Sequence, residues 1–154
     1  MFKKVSDIIE IIQEFHGGLG IYFYTLKDEV SDERAILLLD FLGKGEDFLA
    51  EYLDKYKEAT SKKILNSWVK YVPWLPTDVF CDCRKDLNLD KRPLEVYDIL
   101  EIVWHFDECL IRFYTTLVQE IQNEEVGEIF RNLLRVTKKQ EMNLSRDISW
   151  LYDL

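Results

Sequence analysis

The chain has 154 residues, which suits a single domain large enough to bury a core of its own. Hydrophobic residues make up 47% of the chain and charged residues 32%, so a disordered or fibrous protein is excluded. The net charge of −9 makes nucleic acids and anionic membranes unfavourable partners, because an acidic surface repels phosphate groups. No apolar run is as long as a membrane span, and acidic residues interrupt any signal-peptide core. We therefore expect a cytoplasmic protein that binds neither nucleic acid nor membranes.

Apolar residues spaced three and four positions apart predict four long helices. These are expected over residues 6–29, 32–56, 93–122 and 124–151. Ser6, Ser31 and Asn123 are candidate N-caps, and Pro93 suits a first helical turn, where its missing N–H costs nothing. Only a few residues separate the two helices of each pair, so each pair is predicted to form an antiparallel hairpin.

A long connection over residues 57–92 joins the two predicted hairpins. It is too long for a turn, and Trp68 and Trp74 make it too aromatic for a flexible linker. We expect it to cross the length of a four-helix bundle and pack on it, with a helical turn or two over residues 62–71. The prediction is a single all-α domain over residues 1–154, made of a hairpin at 6–56, this crossover and a hairpin at 93–152.

The three cysteines, Cys81, Cys83 and Cys109, are predicted to be reduced. An odd number without a framework of pairs fits a reducing compartment. Cys81 and Cys83 form a Cys-x-Cys pair, which alone is a weak zinc signal because a structural zinc site needs four ligands. Two thiols in a loop is the favoured interpretation, and metal binding there is left open.

A short repeat links the two halves of the chain. The sequence Ile-Tyr-Phe-Tyr-Thr at residues 21–25 returns as Ile-Arg-Phe-Tyr-Thr at residues 111–115, with four of five positions identical. Each copy lies in the first helix of a predicted hairpin and is followed by a polar link and another helix. The repeat indicates that the two hairpins occupy equivalent places in one fold.

The two halves resemble the ferritin-like superfamily, in particular its rubrerythrin-related branch. In that branch an aromatic–Tyr pair follows a ligand Glu by seven positions, and each partner helix carries a Glu-x-x-His motif. The resemblance is clearest over residues 94–151 and covers most of the chain outside the crossover. It implies a bundle whose four helices aim carboxylates and imidazoles at two metal ions.

The ligand positions of the first half are degenerate. Seven positions before Tyr24 stands Gly17, which has no side chain to bind a metal. In the partner helix the motif falls on residues 46–49, where Glu46 remains and Leu49 replaces the histidine. Only Glu46 of this half is a candidate metal ligand.

The second half has changed in the same way. Seven positions before Tyr114 stands Asp107, a carboxylate shorter than Glu. In the partner helix Thr137 and Gln140 occupy the two motif positions, and the chain contains no Glu-x-x-His motif. We therefore predict no dimetal centre and no cofactor, with iron or manganese at Glu46 and Asp107 as the alternative.

A residual pocket in the former metal cavity is the functional interpretation of these changes. Two buried carboxylates without a cation are costly, so one should hold a proton or both should find hydrogen-bond donors. Hydroxyl and amide side chains of the same pocket are candidate donors. The predicted pocket residues are Gly17, Tyr24, Glu46, Asp107, Tyr114, Thr137 and Gln140.

Five glycines lie inside the first two predicted helices: Gly17, Gly18, Gly20, Gly43 and Gly45. Each interior glycine costs about 1 kcal/mol relative to alanine, so a compensating contact is expected. Close packing of the two helices is favoured over space kept for a ligand.

The two histidines do not rebuild a metal site. His105 lies near Glu101 and Glu108 in the sequence. Helical phase places this trio opposite the stripe that contains Asp107, so it is predicted to form a solvated or intersubunit face. His16 lies at the edge of the apolar stripe of the first helix, where a hydrogen-bonded structural role is favoured over metal ligation.

The first helix has two inward-facing sides, which predicts a homodimer. Its strongest apolar stripe includes Phe15 and Leu19, whereas the repeat places Gly17 and Tyr24 inward. A small bundle is expected to bury a helix on one side only. A partner subunit should then cover the other side, through the first and second helices.

Two classes of function remain open. The lost ligands favour a non-catalytic binding or assembly protein, a ferritin-like bundle without its metals. The alternative is a rubrerythrin-like redox or iron-handling protein with an unconventional metal site. Nucleophilic catalysis has little support, because Cys109 falls on the outer face of its helix with no histidine of suitable phase.

Overall fold

The computed structural model describes residues 1–89 and 93–152, and most of these residues are helical. Four helices are long, and no helix of the described residues is both long and apolar enough to cross a membrane. The predicted end of the crossover at Arg92 and the last two residues of the predicted domain lie outside the described residues. In chain order the elements are β1 Phe2–Lys4, α1 Val5–Lys27, α2 Glu33–Ala59, α3 Lys62–Leu65, β2 Trp68–Lys70, α4 Val79–Lys85, α5 Val96–Glu120 and α6 Glu124–Tyr152.

Helices α1 and α2 form the first antiparallel hairpin, as the sequence predicted. Near the turn, Lys27 Nζ lies 2.8 Å from Asp40 Oδ1. At the far end, Lys57 Nζ lies 3.2 Å from Glu10 Oε1. These two ion pairs join the start of each helix to the end of the other.

The predicted caps of this hairpin are wrong by one or two residues. Helix α1 begins at Val5, so Ser6 lies inside it, and the backbone N–H of Lys4 donates to Asp7 at 3.2 Å. The N-cap of α2 is Asp32 rather than Ser31, because the Asp32 carboxylate accepts from the Arg34 N–H at 3.1 Å. A carboxylate at the cap also suits the positive end of the helix dipole.

The second hairpin consists of α5 and α6. The predicted cap at Asn123 is confirmed, because its side-chain oxygen accepts from the Val126 N–H at 3.2 Å. The predicted start at Pro93 is wrong, since α5 begins at Val96. The Asp98 carboxylate accepts from the Glu95 N–H at 2.8 Å and fixes the first turn there.

A two-stranded antiparallel sheet joins the start of the chain to the crossover. Strand β1 pairs with β2, with Phe2 opposite Lys70 and Lys4 opposite Trp68. The helical turn predicted over residues 62–71 exists only as α3, and the rest of that stretch contains β2. The fold is therefore mostly helical rather than purely so, because three-residue strands leave no periodic signal in the sequence.

Helix α4 of the crossover packs on α1 and α5. Its Phe80 ring stacks on Phe106 of α5, with 5.6 Å between ring centres, and packs over Gly18 of α1. Phe15 and Leu19, from the strongest apolar stripe of α1, are buried within the single chain. Gly17 and Tyr24, which the repeat placed inward, are only partly buried, and a Cβ at Gly17 would meet nothing within 4 Å. The inward placement of this side is therefore wrong within the single chain, and the homodimer stays a prediction.

Cys83 and Cys109 form a disulfide, contrary to the prediction of reduced thiols in a loop. The bond joins α4 to α5, with Cα atoms 6.0 Å apart, and Cys83 is buried. Cys81, also in α4, is an exposed free thiol. Disulfides are typical of oxidising compartments, so the cysteine argument for a reducing compartment no longer holds.

The outer face of α5 is only partly solvated. Glu101 and Glu108 are exposed, as predicted. His105 is half-buried, and its Nε2 lies 2.6 Å from the carbonyl oxygen of Cys83 in α4. The prediction of a solvated or intersubunit face is therefore wrong for His105 and Cys109, because α4 of the same chain packs there.

The two copies of the repeat adopt the same local structure. Thr25 donates its hydroxyl to the carbonyl of Ile21 at 2.8 Å, and Thr115 donates to Ile111 at 2.7 Å. The phenylalanine of each copy is buried in the core. The tyrosines differ, because that of the first copy is half-exposed and that of the second is buried.

Candidate functional site

An open groove runs between α2 and α6, with α5 beneath it. It contains a cavity of about 220 Å³ that is lined by Phe41, Glu46 and Asp107 among others. A second cavity, of about 430 Å³, continues it and shares Leu49 and Gln140 with the first. The α2 wall is largely apolar, whereas the α6 wall mixes apolar side chains with polar ones such as Gln140 and Asn143.

The walls follow from the periodicity of the two helices. In α2, apolar residues on two adjoining faces project toward the groove, among them Phe48, Leu49 and Tyr52. In α6, Leu133 and Val136 stand one turn apart on the opposite wall. The apolar face of α2 is wider than the part that packs against α1, so some of its apolar surface remains available for another contact.

Asp107 on the floor of the groove is held in its protonated form at neutral pH. Burial, and then the nearby carboxylates of Glu46, Glu141 and Glu108, together raise its pKa to about 8. The predicted cost of two inward carboxylates is therefore met by a retained proton on Asp107.

Glu46 is partnered by His16 of α1. The Nδ1 atom of His16 lies 2.5 Å from Oε2 of Glu46, and the His16 side chain is 9% exposed. The predicted structural role of His16 is confirmed, because its ring is fixed by a hydrogen bond in the core. Helical phase alone could not find this pair, since residues 16 and 46 meet only when the hairpin closes.

Glu141 is a further acid near Asp107 that the sequence reasoning missed, and it lines a separate cavity with Glu108 and Arg112. Burial and then the negative charge of Glu108 raise the pKa of Glu141. Its Oε2 atom is buried and has no hydrogen-bond partner among the described residues. The sequence offered one indication of Glu141: it directly follows Gln140, which occupies the second position of the family motif.

Two of the predicted hydrogen-bond donors of the pocket, Thr137 and Tyr24, are engaged elsewhere. The Thr137 hydroxyl donates to the Leu133 carbonyl at 2.9 Å within its own helix. The Tyr24 hydroxyl donates to Asp47 at 3.2 Å, at the edge of the first hairpin. Gln140 is exposed. The floor acids are therefore stabilised by His16 and by protonation rather than by these side chains.

Five of the seven predicted pocket residues line the groove, and two do not. Glu46, Asp107 and Gln140 line the smaller cavity. Tyr114 and Thr137, both buried, line the larger one together with Gln140. Burial and the charge of Glu46 also raise the pKa of the Tyr114 hydroxyl, so it stays neutral.

Gly17 and Tyr24 do not line either cavity, because they lie on the side of α1 that faces α2 or solvent. A Cβ added at Gly17 would meet nothing within 4 Å. A Cβ at Gly43 would lie 2.7 Å from the Tyr24 ring, and one at Gly20 would lie 3.3 Å from the Glu46 side chain. Close packing of α1 and α2 is thus confirmed at Gly20 and Gly43.

The donor set of the groove does not match a dinuclear metal centre. Within residues 1–89 and 93–147, no three side chains of His, Cys, Asp or Glu come together in an arrangement that could hold a metal ion. Glu46 is occupied by His16, and Asp107 keeps a proton. The absence of a dimetal centre stays a prediction, to be tested by elemental analysis.

Comparison with known proteins adds no relative from which a role could be carried over. No protein-family model matches the chain, and neither a curated protein nor a solved structure matches it.

Proposed function

We propose that the chain is a ferritin-like four-helix bundle that lacks the dimetal site and acts by binding or assembly rather than by catalysis. Two antiparallel hairpins of long helices, joined by a long crossover, support the bundle. The matching local structure of the repeat copies supports their equivalence. The engaged or protonated state of Glu46 and Asp107 supports the loss of the metals.

The observation that carries the assembly role is the exposed apolar face of α2. This face consists of Leu37, Phe41, Phe48 and Tyr52, which are between 49% and 68% exposed. At 100° per residue they fall within a stripe about 60° wide along four turns of the helix. Isolated exposed apolar residues are ordinary, but a continuous stripe on one helix marks an interaction surface.

A second copy of the chain is the occupant that fits this face. The four side chains expose roughly 500 Å² of apolar surface, whereas a stable interface buries about 800 Å² on each partner. Flanking residues would supply the remainder. This area suits a homodimer that uses the first hairpin.

The spacing of the face is self-complementary. If two copies of α2 pack antiparallel across a twofold axis near residues 44 and 45, Phe41 meets Phe48 and Leu37 meets Tyr52. A Cβ at Gly45 would meet nothing within 4 Å, so this side of the axis has room for a close approach, and the neighbouring Lys44 is paired with Asp40 at 2.8 Å. In a twofold-symmetric contact each apolar residue must meet an apolar residue of the same stripe on the other copy. All four residues of the stripe meet this condition.

Light scattering tests the dimer. The wild-type protein at micromolar concentration should have twice the chain mass of 18.4 kDa. Phe41→Ser together with Phe48→Ser should weaken the dimer by about 100-fold or more, because two aromatic anchors are removed from each side. Trp74→Ser, which removes an equally exposed aromatic outside α2, is the matched control. A wild-type monomer, or a dimer that the double variant leaves intact, would contradict the proposal.

The alternative is a rubrerythrin-like redox or iron-handling protein that binds iron or manganese, and one observation favours it. Burial first, and then the negative charge of neighbouring carboxylates, raises the pKa values of Asp107 and Glu141, so acids lie near one another beside the groove. Elemental analysis after growth in iron-rich and manganese-rich medium decides between the two functions. About two metals per chain, lost in Asp107→Asn, would support the alternative. A metal-free protein whose fold tolerates Asp107→Asn would support the metal-free bundle.

A further inference from the structure

The two-stranded sheet presents one of its faces to solvent. In its antiparallel register Phe2 is opposite Lys70. Lys4 is opposite Trp68, and the alternation of side chains along a strand puts both pairs on the same face. Val69, on the other face, is buried against the core. We call β1 and β2 together the cationic ribbon.

The outer face of the ribbon combines apolar area with positive charge. Phe2 and Trp68 are each 64% exposed. The Nζ atom of Lys4 lies 5.4 Å from the centre of the Trp68 ring. On the inner side, Lys3 Nζ lies 5.3 Å from the centre of the Tyr71 ring. Cation–π contacts of this kind hold the ammonium groups beside the aromatic rings.

The ribbon is locally basic in a protein whose net charge is −9. Three of its six residues are lysines, and the exposed Lys62 and Lys63 of α3 precede β2 in the chain. Acidic side chains lie near it as well. Asp7 accepts the backbone N–H of Lys4, and Glu120 lines a cavity beside Phe2 and Trp68. The exposed Glu124 and Glu125 stand between Asn123 and Val126, which line the same cavity. The two strands themselves carry three lysines and no acid, so their own charge is opposite in sign to that of the whole molecule.

We propose that the cationic ribbon docks the protein onto a bilayer that contains anionic lipids. Lysines near an anionic leaflet are attracted to its headgroups, and Trp and Phe side chains are favoured at the boundary between headgroups and acyl chains. Phe2, Lys4, Trp68 and Lys70 lie on the same face of the sheet, so one small surface offers both the charged and the aromatic contact.

The net negative charge does not prevent this orientation. Helix α1 begins directly after β1, and its 23 residues extend about 35 Å from the ribbon. The Debye length at physiological salt is about 8 Å. Acids along the far part of the helices are therefore screened from a surface that the ribbon touches.

Two features favour lipid over nucleic acid as the occupant. All the basic side chains of the ribbon and of α3 are lysines, which act as point charges, whereas bidentate phosphate and base recognition uses arginine. The apolar side chains also gain more from the acyl boundary than from a single base face.

The inference is independent of the proposed homodimer, because the ribbon and the exposed face of α2 share no residue. Co-sedimentation of the full chain with vesicles tests it. One set of vesicles is phosphatidylcholine alone, and the other contains about one third phosphatidylserine. We expect binding only to the anionic vesicles, and weaker binding as salt is raised.

Two pairs of variants separate the ribbon from general effects. Lys4→Gln with Lys70→Gln should lower the partition coefficient about 30-fold, since each lysine near the surface contributes about fivefold. The backbone bond from Lys4 to Asp7 is kept in this variant. Its matched control is Lys138→Gln with Lys139→Gln, two exposed lysines of α6.

The aromatic contribution is tested with Trp68→Ser against Trp104→Ser, an exposed tryptophan on α5. Only Trp68→Ser should reduce vesicle binding and abolish the blue shift of tryptophan fluorescence on binding. Circular dichroism establishes that each variant is folded. The proposal is overturned if the wild type does not bind anionic vesicles, or if the control variants lose binding as much as the ribbon variants. Binding of a single-stranded oligonucleotide through the ribbon, without vesicle binding, would equally overturn it.

Discussion

Replacing Asp107 with asparagine should stabilise the protein, and the gain should grow with pH. The Asp107 carboxyl lies on the floor of the groove, with a pKa raised from 3.8 to about 8, first by burial and then by Glu46, Glu141 and Glu108. Between these two pH values the folded state keeps a proton on Asp107 that the unfolded state has released. The free energy of unfolding therefore falls as pH rises through this window.

The magnitude follows from the shift. A group that is protonated only in the folded state lowers the free energy of unfolding by up to about 1.4 kcal/mol for each pH unit. Asp107 is only half-buried and lines an open cavity, so solvent screens part of the penalty. We expect a loss of about 1–3 kcal/mol between pH 5 and pH 8 in the wild type. Asparagine carries no charge at either pH and should remove this loss.

Chemical denaturation followed by circular dichroism at several pH values measures the effect. Wild type and Asp107→Asn should be equally stable near pH 4, and the variant should be more stable by about 1–3 kcal/mol at pH 8. Asp147→Asn is the matched control, because Asp147 lines the same cavity but is exposed. The reasoning is refuted if Asp107→Asn is less stable at pH 8, or if the two proteins show the same pH dependence.

Two further predictions concern the crossover and its contact with α1. Cys83→Ser removes a disulfide between residues 26 apart and should lower the free energy of unfolding by about 3.5 kcal/mol. Cys81→Ser is the control and should have no such effect. A melting temperature that does not change on addition of a reductant would argue against the bond. Gly18→Ala should destabilise by about 1–3 kcal/mol, because its Cβ would lie 2.9 Å from the Phe80 ring, which is stacked and cannot shift freely. At the open neighbouring position, Gly17→Ala should instead stabilise the folded protein by up to about 1 kcal/mol. Urea denaturation measures both variants, and equal effects of the two substitutions would contradict the packing of Phe80 over Gly18.

The long helices were predictable because their signals are local. Apolar spacing indicated α2 at residues 32–56, and the helix observed is Glu33–Ala59. The cap at Asn123 was found for the same reason, since a side-chain oxygen three residues before a free N–H is visible in sequence. The starts of α1 and α5 were misplaced at Ser6 and Pro93, because Asp7 and Asp98 fix the first turns by accepting backbone N–H groups.

Part of the candidate site was also accessible from sequence. Counting back from Tyr114 selected Asp107, and the motif position in the second helix selected Glu46; both line the groove between α2 and α6. Helical phase did not reveal that His16 binds Glu46 or that Glu141 lies near Asp107. Those contacts join different helices, and their register depends on how the hairpins close rather than on the order of residues within one helix.

The sequence by itself determined where the four long helices lie and which of their faces are apolar. It also determined that the connection between the hairpins packs against the helices instead of forming a flexible linker. Only the tertiary structure decided the pairing of β1 with β2, the disulfide between Cys83 and Cys109, and the burial of α1 by α4. Each of these depends on residues distant in the chain whose local signals are short or absent. Two three-residue strands, two cysteines 26 residues apart and one seven-residue helix carry no period to detect, so their partners are chosen by the packing of the whole core.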